Sequence, residues 1–577
     1  MLYFIAVWTL LSMVCGLTGA ALLSSLRTSV FTRLGDRLMV ALWLGVVLLA
    51  TALLTASFIV PLSPLIGGLV AAIPVSLSLR SQRVRREISM LRSHLTPVLL
   101  TVGLTLAFGV AILTTQRVTW LDTGLYHYGA IRWLSEFGAV PGIALLLRQF
   151  GFSSTWFALA APLNDVFLEG RASAVTNGFV LFLSSLHCLI CLIRVFSKRS
   201  TTSDWFILFF QPVAVLGIFS TRLLSTVLIS PSPDIPVIFL TGIVAWTILL
   251  NFASPADDQV KYAGFHTDVV PLILAIGATS IKLTALPLLF VASLFYFFCR
   301  GFSLQRLWIG SVVIILLLLP ILSFGVITSG CPLYPSSVLC LDVPWAVTAE
   351  EAKATAEVTR GWGTWFGSPP PEVNSGVWLF WKWLNSINSS KLIVLLVGLS
   401  VLASVPIFKE YRAKQNFSYL WVLALAFVGS TFAISQAPLL RFGLGYFVLS
   451  PILLAAILIQ SKFQLNLSKA ANQLMPSLQF QKLQRQNLFV LLFLTTLIAV
   501  SLTSLEVRSR FLLPPPFADV EVLENQTNDV TYFSPRNSRG VCWDTELPCT
   551  GKPDEDIHLR NPNQGIEAGF SRRPNSL

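Results

Sequence analysis

The sequence predicts an all-α polytopic membrane protein with about fourteen transmembrane helices. Three observations predict this fold class. Of the 577 residues, 54% are hydrophobic and only 12% are charged, and the mean hydropathy is +0.73. A soluble chain would carry roughly twice that charged fraction. Apolar stretches of roughly 16 to 24 residues, long enough to cross a hydrocarbon core of about 30 Å as helices, recur between short polar segments.

The first predicted helix covers residues 2–23, and no Lys or Arg precedes Arg27. A secretory signal carries its positive charge ahead of the apolar run, so we expect a retained helix that enters from outside. Apolar residues on either side of Lys282 form two half-length helices or one long tilted helix, and the parity of the count depends on which. The remaining predicted helices cover residues 38–59, 61–79, 96–115, 175–196, 205–228, 235–252, 268–281, 283–298, 307–327, 392–408, 417–434, 442–460 and 488–506.

Positive charge predicts the orientation of these helices. The positive-inside rule places the segments that hold most of the Lys and Arg residues in the cytoplasm. Topology and anionic lipid then explain the net charge of +12, so we expect no nucleic-acid partner. In this topology six such segments share one side: 27–37, 80–92, 194–199, 300–306, 409–414 and 462–485.

The large polar segments divide the chain into a transmembrane domain, residues 1–506, and an outside tail, residues 507–577. Two outside loops interrupt the transmembrane domain, at residues 116–174 and 328–391. The tail is too small and polar to favour a separate core, so we expect a small cap over the outside face.

Within the first outside loop, residues 125–137 predict one amphipathic helix. After a break at residues 138–142, a second helix is expected to continue through Arg148, with Pro141 in its first turn. We expect both helices to lie on the membrane surface.

Four cysteines fall in outside segments, two in the second loop and two in the tail. Cys331 with Cys340, and Cys542 with Cys549, can each close a small disulfide loop in an oxidising compartment. Free thiols are the alternative. The other four cysteines lie in or against predicted helices.

Two outside carboxylates are candidates for catalysis. Asp122 stands where an apolar run leaves the membrane, and a carboxylate there can take a proton from an incoming hydroxyl as a general base. A helix cap is the alternative for Asp122, because Thr123 and Gly124 precede an amphipathic run. Asp234 ends the turn Ser-Pro-Ser-Pro-Asp and by itself is more typical of a helix start. On the same face as Asp122, it can orient an acceptor or bind a divalent cation.

Four basic side chains are candidates for binding a phosphate. Arg222 falls inside a predicted helix, where an unpaired guanidinium is costly and usually functional. Lys282 lies at the outer turn of the short helix pair, and Arg441 opens a late helix with a fork that suits phosphate. Snorkelling to the interface is the alternative for Arg441. Arg132 is the fourth candidate, although Glu136 one turn later can pair with it.

Aromatic and imidazole side chains complete the candidate substrate-binding set. Tyr126 and His127 follow Asp122, and His127 can hold a phosphate or ligate a metal. Six Trp residues lie in the second outside loop, where some anchor the interface and others can stack on a sugar ring or prenyl chain. Trp362 and Trp365 are our candidates for stacking. No outside His, Asp and Cys set has metal-ligand spacing, so we predict no required metal, with Mg²⁺ or Mn²⁺ as the alternative.

Several enzyme classes are disfavoured by the motifs. The sequence has no Walker motif, no Rossmann glycine pattern and no Gly-x-Ser-x-Gly elbow, which argues against an ATP-driven pump or a serine hydrolase. His187, Cys188 and Cys191 lie in an apolar stretch, which indicates packing rather than a metal or redox site.

Taken together, these features resemble the integral-membrane glycosyltransferases of GT-C fold. The resemblance is carried by Asp122 with the two helices after it, Pro233-Asp234, Ile281-Lys282-Leu283 and Ala-Pro-x-x-Arg-Phe at residues 437–442. Residues 125–128 and the tail motifs Cys542-Trp543 and Pro548-Cys549-Thr550 more closely resemble a set of multi-pass bacterial membrane proteins assigned to that superfamily.

The resemblance implies a polyprenyl-phosphate-linked sugar donor, used at the periplasmic or outer face of a bacterial inner (plasma) membrane with inversion at the anomeric carbon. By position, it implies Asp122 as base, Asp234 as a second acid, and Lys282 and Arg441 as phosphate binders. The acceptor would be a cell-envelope glycan, lipid or protein. The first outside loop lacks the Asp-x-Asp and Asp-Glu pairs of several GT-C enzymes, while residues 554–556 read Asp-Glu-Asp in the tail, so metal use and acceptor stay open.

Three other functions stay open beside a transferase. A transporter or flippase of lipid-linked saccharide or another solute is the chief alternative, but carriers are usually built from repeats with polar residues near the bilayer midplane. No repeat is visible in this sequence. A surface-polysaccharide polymerase or ligase differs only in its acceptor, and a non-catalytic scaffold is the third alternative.

Overall fold

The structure is a computed structural model, and it describes residues 1–26, 31–164, 168, 170–253, 267–361, 363, 365–470, 504–536 and 540–572. Within this part the chain is mainly helical. Ten helices are long and apolar enough to cross a membrane, or eleven if one bent pair counts as a span. The predicted class, an all-α polytopic membrane protein, is therefore confirmed, whereas the count of about fourteen spans is not.

The α-helices follow one another with short connections. They are α1 (Leu2–Ser25), α2 (Leu34–Ala56), α3 (Pro64–Arg80), α4 (Gln82–His94), α5 (Pro97–Thr114), α6 (Tyr128–Glu136), α7 (Ile143–Leu146), α8 (Thr155–Ala160), α9 (Val175–Phe196), α10 (Thr202–Phe219), α11 (Arg222–Leu228), α12 (Asp234–Ala253), α13 (Val269–Ile281), α14 (Leu286–Phe298), α15 (Leu304–Ser329), α16 (Ala349–Arg360), α17 (Ser375–Ser386), α18 (Ser390–Lys414), α19 (Ser418–Gln436), α20 (Leu440–Phe447), α21 (Leu449–Ala470) and α22 (Leu505–Ser509).

Close backbone contact holds α1 against α2. A Cβ added at Gly19 would lie 1.8 Å from the Ala41 carbonyl oxygen, and one at Gly45 would lie 2.0 Å from the Cys15 carbonyl oxygen. Lipid provides no hydrophobic force between helices, so small residues that admit close packing take that role. The bundle is therefore built around α2, with α12 and α13 also deeply buried.

Two predicted helices differ in the structure. The predicted helix 205–228 breaks between α10 and α11, because the Thr221 hydroxyl accepts a hydrogen bond from the Leu224 N–H at 3.2 Å and starts a new helix. The predicted helix 61–79 is α3, which meets α4 at a bend of 91°. Around Lys282 the half-length alternative holds, with 13 residues in each of α13 and α14. The predicted helix 488–506 lies outside the described residues as far as residue 503.

Ion pairs gather three of the six positive segments at one end of the bundle, called here the basic end. Arg33 pairs with Asp36 at 2.6 Å and with Asp204 at 2.7 Å, and Arg194 pairs with Asp204 at 2.7 Å. Glu87 joins this end through an ion pair at 2.6 Å to the Arg37 guanidinium. The charges from different segments neutralise one another where the helices meet.

The two ends of α1 separate the basic end from the opposite end, called here the cavity end. Ser24, near the end of α1, donates to Glu87 at 3.2 Å, whereas the Met1 amino group donates to the Arg510 carbonyl at 2.9 Å. A helix of 24 residues is about 36 Å long. The N-terminus and the start of the tail therefore share the cavity end, a membrane thickness away from the basic end.

A second hydrophobic core lies at the cavity end. The first loop, the second loop and the tail each contribute to it, for example through Trp133, Tyr334 and Phe570. The tail adds two small antiparallel sheets, formed by β1 (Val522–Thr527) with β2 (Val530–Pro535) and by β3 (Ile557–Leu559) with β4 (Phe570–Arg572). The tail thus shares its core with both loops. Both predicted disulfides, Cys331–Cys340 and Cys542–Cys549, are formed.

The second of the two expected surface helices is buried. It is α7, only four residues long, and all four side chains are inaccessible. Gly142, which precedes it, adopts φ +71°, and an added Cβ would lie 2.4 Å from the Phe570 carbonyl oxygen. The expectation that this helix lies on the membrane surface is wrong, because tail strand β4 covers it. Arg148 follows α7 in a short 3₁₀ turn rather than ending a longer helix.

Candidate functional site

A cavity of about 290 Å³ lies at the cavity end, between the helical bundle and the layer formed by the two loops and the tail. Five parts of the chain line it: the first loop, the Pro-Asp turn before α12, the α13–α14 junction, the second loop and the α19–α20 junction. Six predicted site residues are among the lining residues, namely Asp122, Tyr126, His127, Asp234, Lys282 and Arg441.

A single π-helical turn, Thr123–His127, carries Tyr126 and His127. The turn follows Asp122, whose side chain makes no capping hydrogen bond, so the cap alternative is not what the structure has. Instead, an Asp122 carboxylate oxygen lies 3.3 Å from a guanidinium nitrogen of Arg441. The wider π turn brings Tyr126 and His127 onto the cavity wall next to Asp122. The sequence between an apolar span and an amphipathic helix therefore builds one wall of the cavity.

Asp234 is the more deeply buried of the two carboxylates. Its side chain is 3% exposed, against 27% for Asp122, and it pairs with the Lys282 ammonium. Asp234 begins α12 as predicted and also accepts a hydrogen bond from the Ser232 hydroxyl at 3.2 Å. The turn before it is held by Asn177 in α9, whose amide donates to the Ser232 carbonyl at 3.1 Å. Asp234 is thus fixed from two sides.

The two cations share one aromatic ring. The Lys282 ammonium lies 4.4 Å from the Phe442 ring centroid, and the Arg441 guanidinium carbon lies 4.6 Å from the same centroid. Arg441 also lies over Trp120 at 5.3 Å. Aromatic faces attract cations electrostatically. Phe442 therefore contacts both positive charges at the cavity wall.

The imidazole in the cavity wall is electrically neutral. Burial lowers the pKa of His127 to about 3, against an ordinary value of 6.5. Its ring packs 4.4 Å from Tyr126 and 5.4 Å from Phe157 between centroids. Burial also raises the pKa of the Tyr126 phenol well above its usual 10. At neutral pH both groups therefore offer hydrogen bonds without adding charge.

Three of the predicted site residues lie away from the cavity. Arg132 pairs with Glu136 at 2.8 Å and donates to the Thr545 carbonyl of the tail at 2.7 Å, so it holds the tail. Arg222 is exposed at the first residue of α11, because the break at Thr221 removes it from a span. Trp365 is 58% exposed and is not among the lining residues described. Trp362 lies outside the described residues.

Residues 1–448 match the sequence profile of a protein family described as a domain of unknown function, DUF8201. The chain belongs to the DUF8201 family. All six predicted residues that line the cavity fall inside the matched region, and the tail falls outside it. No curated protein and no solved structure matches the chain.

Sequence reasoning missed three residues of the DUF8201 region that shape the cavity. Arg360, at the end of α16, is an exposed lining residue, and no carboxylate among the described residues pairs with it. Tyr334 lines the cavity inside the Cys331–Cys340 loop. Asn177 is a polar residue in an apolar span, and its cost in lipid was a clue that it has a role. The sequence does not show which neighbour it faces.

The two cavity carboxylates already have basic partners. Across the described ranges, no group of three or more His, Cys, Asp and Glu residues lies close enough to hold a metal ion. Asp122 and Asp234 each face a basic side chain at ion-pair distance. A divalent cation such as Mg²⁺ or Mn²⁺ would have to displace these partners, so the donor set fits one poorly.

Proposed function

We propose that this protein is a GT-C-like glycosyltransferase that takes a sugar from a polyprenyl phosphate and passes it to a cell-envelope acceptor. The observation that carries the proposal is the convergence of Asp122, Asp234, Lys282 and Arg441 in one cavity, although Asp122 and Arg441 are 319 residues apart in sequence. Acid and cation pairs in one concave site with apolar walls suit a substrate that is part lipid and part charged.

The membrane orientation belongs to the same proposal. The basic end faces the cytoplasm by the positive-inside rule, which places the cavity end in the periplasm or outside. Two disulfides at the cavity end agree with an oxidising compartment. The membrane would be the inner, or plasma, membrane of a bacterium.

The donor is held by its phosphate and its lipid tail. Lys282 and Arg441 already line the cavity, and Arg360 adds a third cation that is free of a described carboxylate. Phosphate matches the guanidinium fork in two parallel hydrogen bonds. Leu286 of α14 and Phe432 of α19 provide apolar wall for the first prenyl units. The cavity thus offers positively charged side chains for the phosphate and apolar side chains for the prenyl chain.

In the proposed reaction, Asp122 takes the proton of an acceptor hydroxyl as that oxygen attacks the anomeric carbon. The bond between this carbon and the phosphate oxygen breaks, and the lipid phosphate leaves with the bonding electrons. Lys282 and Arg441 stabilise the charge on the leaving phosphate. Attack from the face opposite the phosphate inverts the anomeric carbon.

The two carboxylates have different roles in this proposal. Asp122, at 27% exposure, can meet a hydroxyl once Arg441 turns from it to the phosphate. Asp234, at 3% exposure and paired with Lys282, instead holds the ammonium in place. We therefore assign Asp122 to proton transfer and Asp234 to positioning, with no step through a metal.

The test uses purified protein in lipid nanodiscs, with a panel of radiolabelled polyprenyl-phosphate sugars and an envelope extract as acceptor. Asp122→Asn keeps the size of the side chain and removes its basicity, so release of polyprenyl phosphate should fall by about 10²- to 10⁴-fold. Binding of polyprenyl phosphate should persist. Arg222→Gln, an exposed cation outside the cavity, is the matched control and should react at the native rate.

Two results would oppose the proposal. Turnover by Asp122→Asn at the native rate removes Asp122 from the chemistry. Movement of an intact lipid-linked saccharide across proteoliposomes, without cleavage of any donor, supports the carrier alternative instead.

A further inference from the structure

The tail contacts the π-helical turn that directly follows the candidate base Asp122. The carbonyl oxygen of Gly124, inside that turn, accepts hydrogen bonds from the backbone N–H groups of Cys542 at 2.9 Å and Trp543 at 3.0 Å. Both donors belong to consecutive residues of the tail, and the acceptor belongs to the turn. The backbone of the turn is thus tied to a segment more than four hundred positions later in the sequence.

Contacts with the tail recur at every fourth residue. Gly124 meets Cys542 and Trp543, and Arg132 donates to the Thr545 carbonyl at 2.7 Å. Between them, Tyr128 packs on Phe517 at 4.9 Å between centroids. Residues four apart lie on the same side of a helix.

The cavity side chains lie on the other face of this segment. Asp122, Tyr126 and His127 line the cavity, whereas Gly124 and Tyr128 are covered by the tail. The segment therefore lies between the cavity and the tail, with one face toward each.

The fit against Gly124 leaves no room for a side chain. An added Cβ would lie 2.4 Å from a methyl carbon of Val541 and 2.5 Å from the Trp543 ring. Trp543 itself adopts φ +48°, a conformation uncommon outside glycine, and its ring packs on Phe517 at 5.2 Å. Such a backbone persists only where its surroundings hold it. The disulfide from Cys542 to Cys549 closes this loop.

We propose that residues 541–545, closed by the Cys542–Cys549 disulfide, are a positioning element that holds the π-helical turn and so sets where Asp122 stands. The tail is then a working part of the site although it lies beyond the DUF8201 match. The contacts alone support the hold of the tail on the turn. The effect of this hold on sugar transfer rests on the proposed function.

The phosphate-binding cations sit on other elements, so the two effects can be separated. Lys282 lies between α13 and α14, and Arg441 lies in α20. Loosening the turn should displace the base and leave phosphate binding in place. Misplacement by about 1 Å can cost roughly 10²-fold in rate. Turnover should therefore fall while the affinity and stoichiometry for polyprenyl phosphate stay within about twofold of native.

The experiment compares four variants of the full chain in nanodiscs. Trp543→Ala removes the ring against Gly124, and Cys542→Ser with Cys549→Ser opens the loop. Trp543→Phe keeps an aromatic ring and should show native hydrogen exchange and native turnover. Lys552→Ala, on an exposed part of the tail, is the matched control. The readouts are amide hydrogen exchange at residues 123–128, donor turnover, and binding of polyprenyl phosphate.

We expect faster exchange at residues 123–128 and slower turnover in Trp543→Ala and in the opened loop, with native values in Trp543→Phe and Lys552→Ala. Native exchange at these amides in both loosened variants would overturn the inference. If exchange rises but the native protein cleaves no donor, the proposed reaction is refuted while the tail's hold on the turn is supported. A loss of binding stoichiometry in step with turnover would indicate unfolding and count against a positioning role.

Discussion

The buried pair of Asp234 and Lys282 offers the sharpest stability prediction. Lys282→Met keeps the length of the side chain and removes its charge. The remaining Asp234 carboxylate is 3% exposed and keeps the hydrogen bond from the Ser232 hydroxyl at 3.2 Å. Breaking a buried pair by removing one partner costs about 3–5 kcal/mol, because the remaining charge is uncompensated. Against a total stability of about 5–15 kcal/mol, that is a large loss.

A double-mutant cycle measures this cost. Removing both charges, in Asp234→Asn with Lys282→Met, should regain most of the loss, because no uncompensated charge remains. Reversible unfolding of the purified variants in detergent, followed by tryptophan fluorescence, gives the four free energies. Lys552→Met in the fully exposed pair with Glu555 is the control and should change nothing measurable. Lys282→Met within about 1 kcal/mol of native, or a double variant no better than the single one, would refute the reasoning.

Three further predictions concern the rim of the cavity and the layer formed by the two loops and the tail. Arg360→Gln removes a cation with no described carboxylate partner, so calorimetry should show about tenfold weaker binding of polyprenyl phosphate with unchanged thermal unfolding; native affinity would contradict this. Gly142→Ala forces a methyl to 2.4 Å from the Phe570 carbonyl oxygen at φ +71°, so the tail should become sensitive to limited proteolysis, whereas equal cleavage would show that the contact gives way. Burial alone would raise the pKa of Glu351, but hydrogen bonds from Arg572 and a backbone N–H outweigh it and hold the pKa below its usual 4.5. Because its pKa is depressed, Glu351 stabilises the folded state fully above pH 4.5 and loses that contribution as the pH falls through the folded value. Tail proteolysis should therefore rise as the pH is lowered below 4.5. Glu351→Gln should lack that pH step.

The membrane class follows from local properties of the chain. Hydropathy over about 20 residues sets whether a segment crosses lipid, and that quantity needs no knowledge of neighbours. The same method misjudged residues 205–228, where a Thr221 hydroxyl ends one helix and starts another without changing the hydropathy. It also left the region around Lys282 undecided, because length alone does not tell two short helices from one tilted helix.

Candidate residues could be chosen from the sequence because ionisable side chains within or beside apolar spans are costly and rare. Which of these residues meet in the cavity was decided by how the helices and loops pack. Asp122, Asp234, Lys282 and Arg441 reach one cavity, whereas Arg132 turns to the tail and Arg222 to the surface. Glu136, one turn after Arg132, is a local sign of another partner for that arginine, whereas the local sequence around Arg222 gives no such sign.

The residue types and their hydropathy were therefore enough to place this chain in a membrane and to nominate polar side chains at one of its faces. The identity of the ion pairs, the neutral state of His127 and the hold of the tail on Gly124 arise from contacts between segments far apart in the chain. Such contacts depend on how helices pack in three dimensions, and packing is a property of the whole bundle rather than of any window along the sequence.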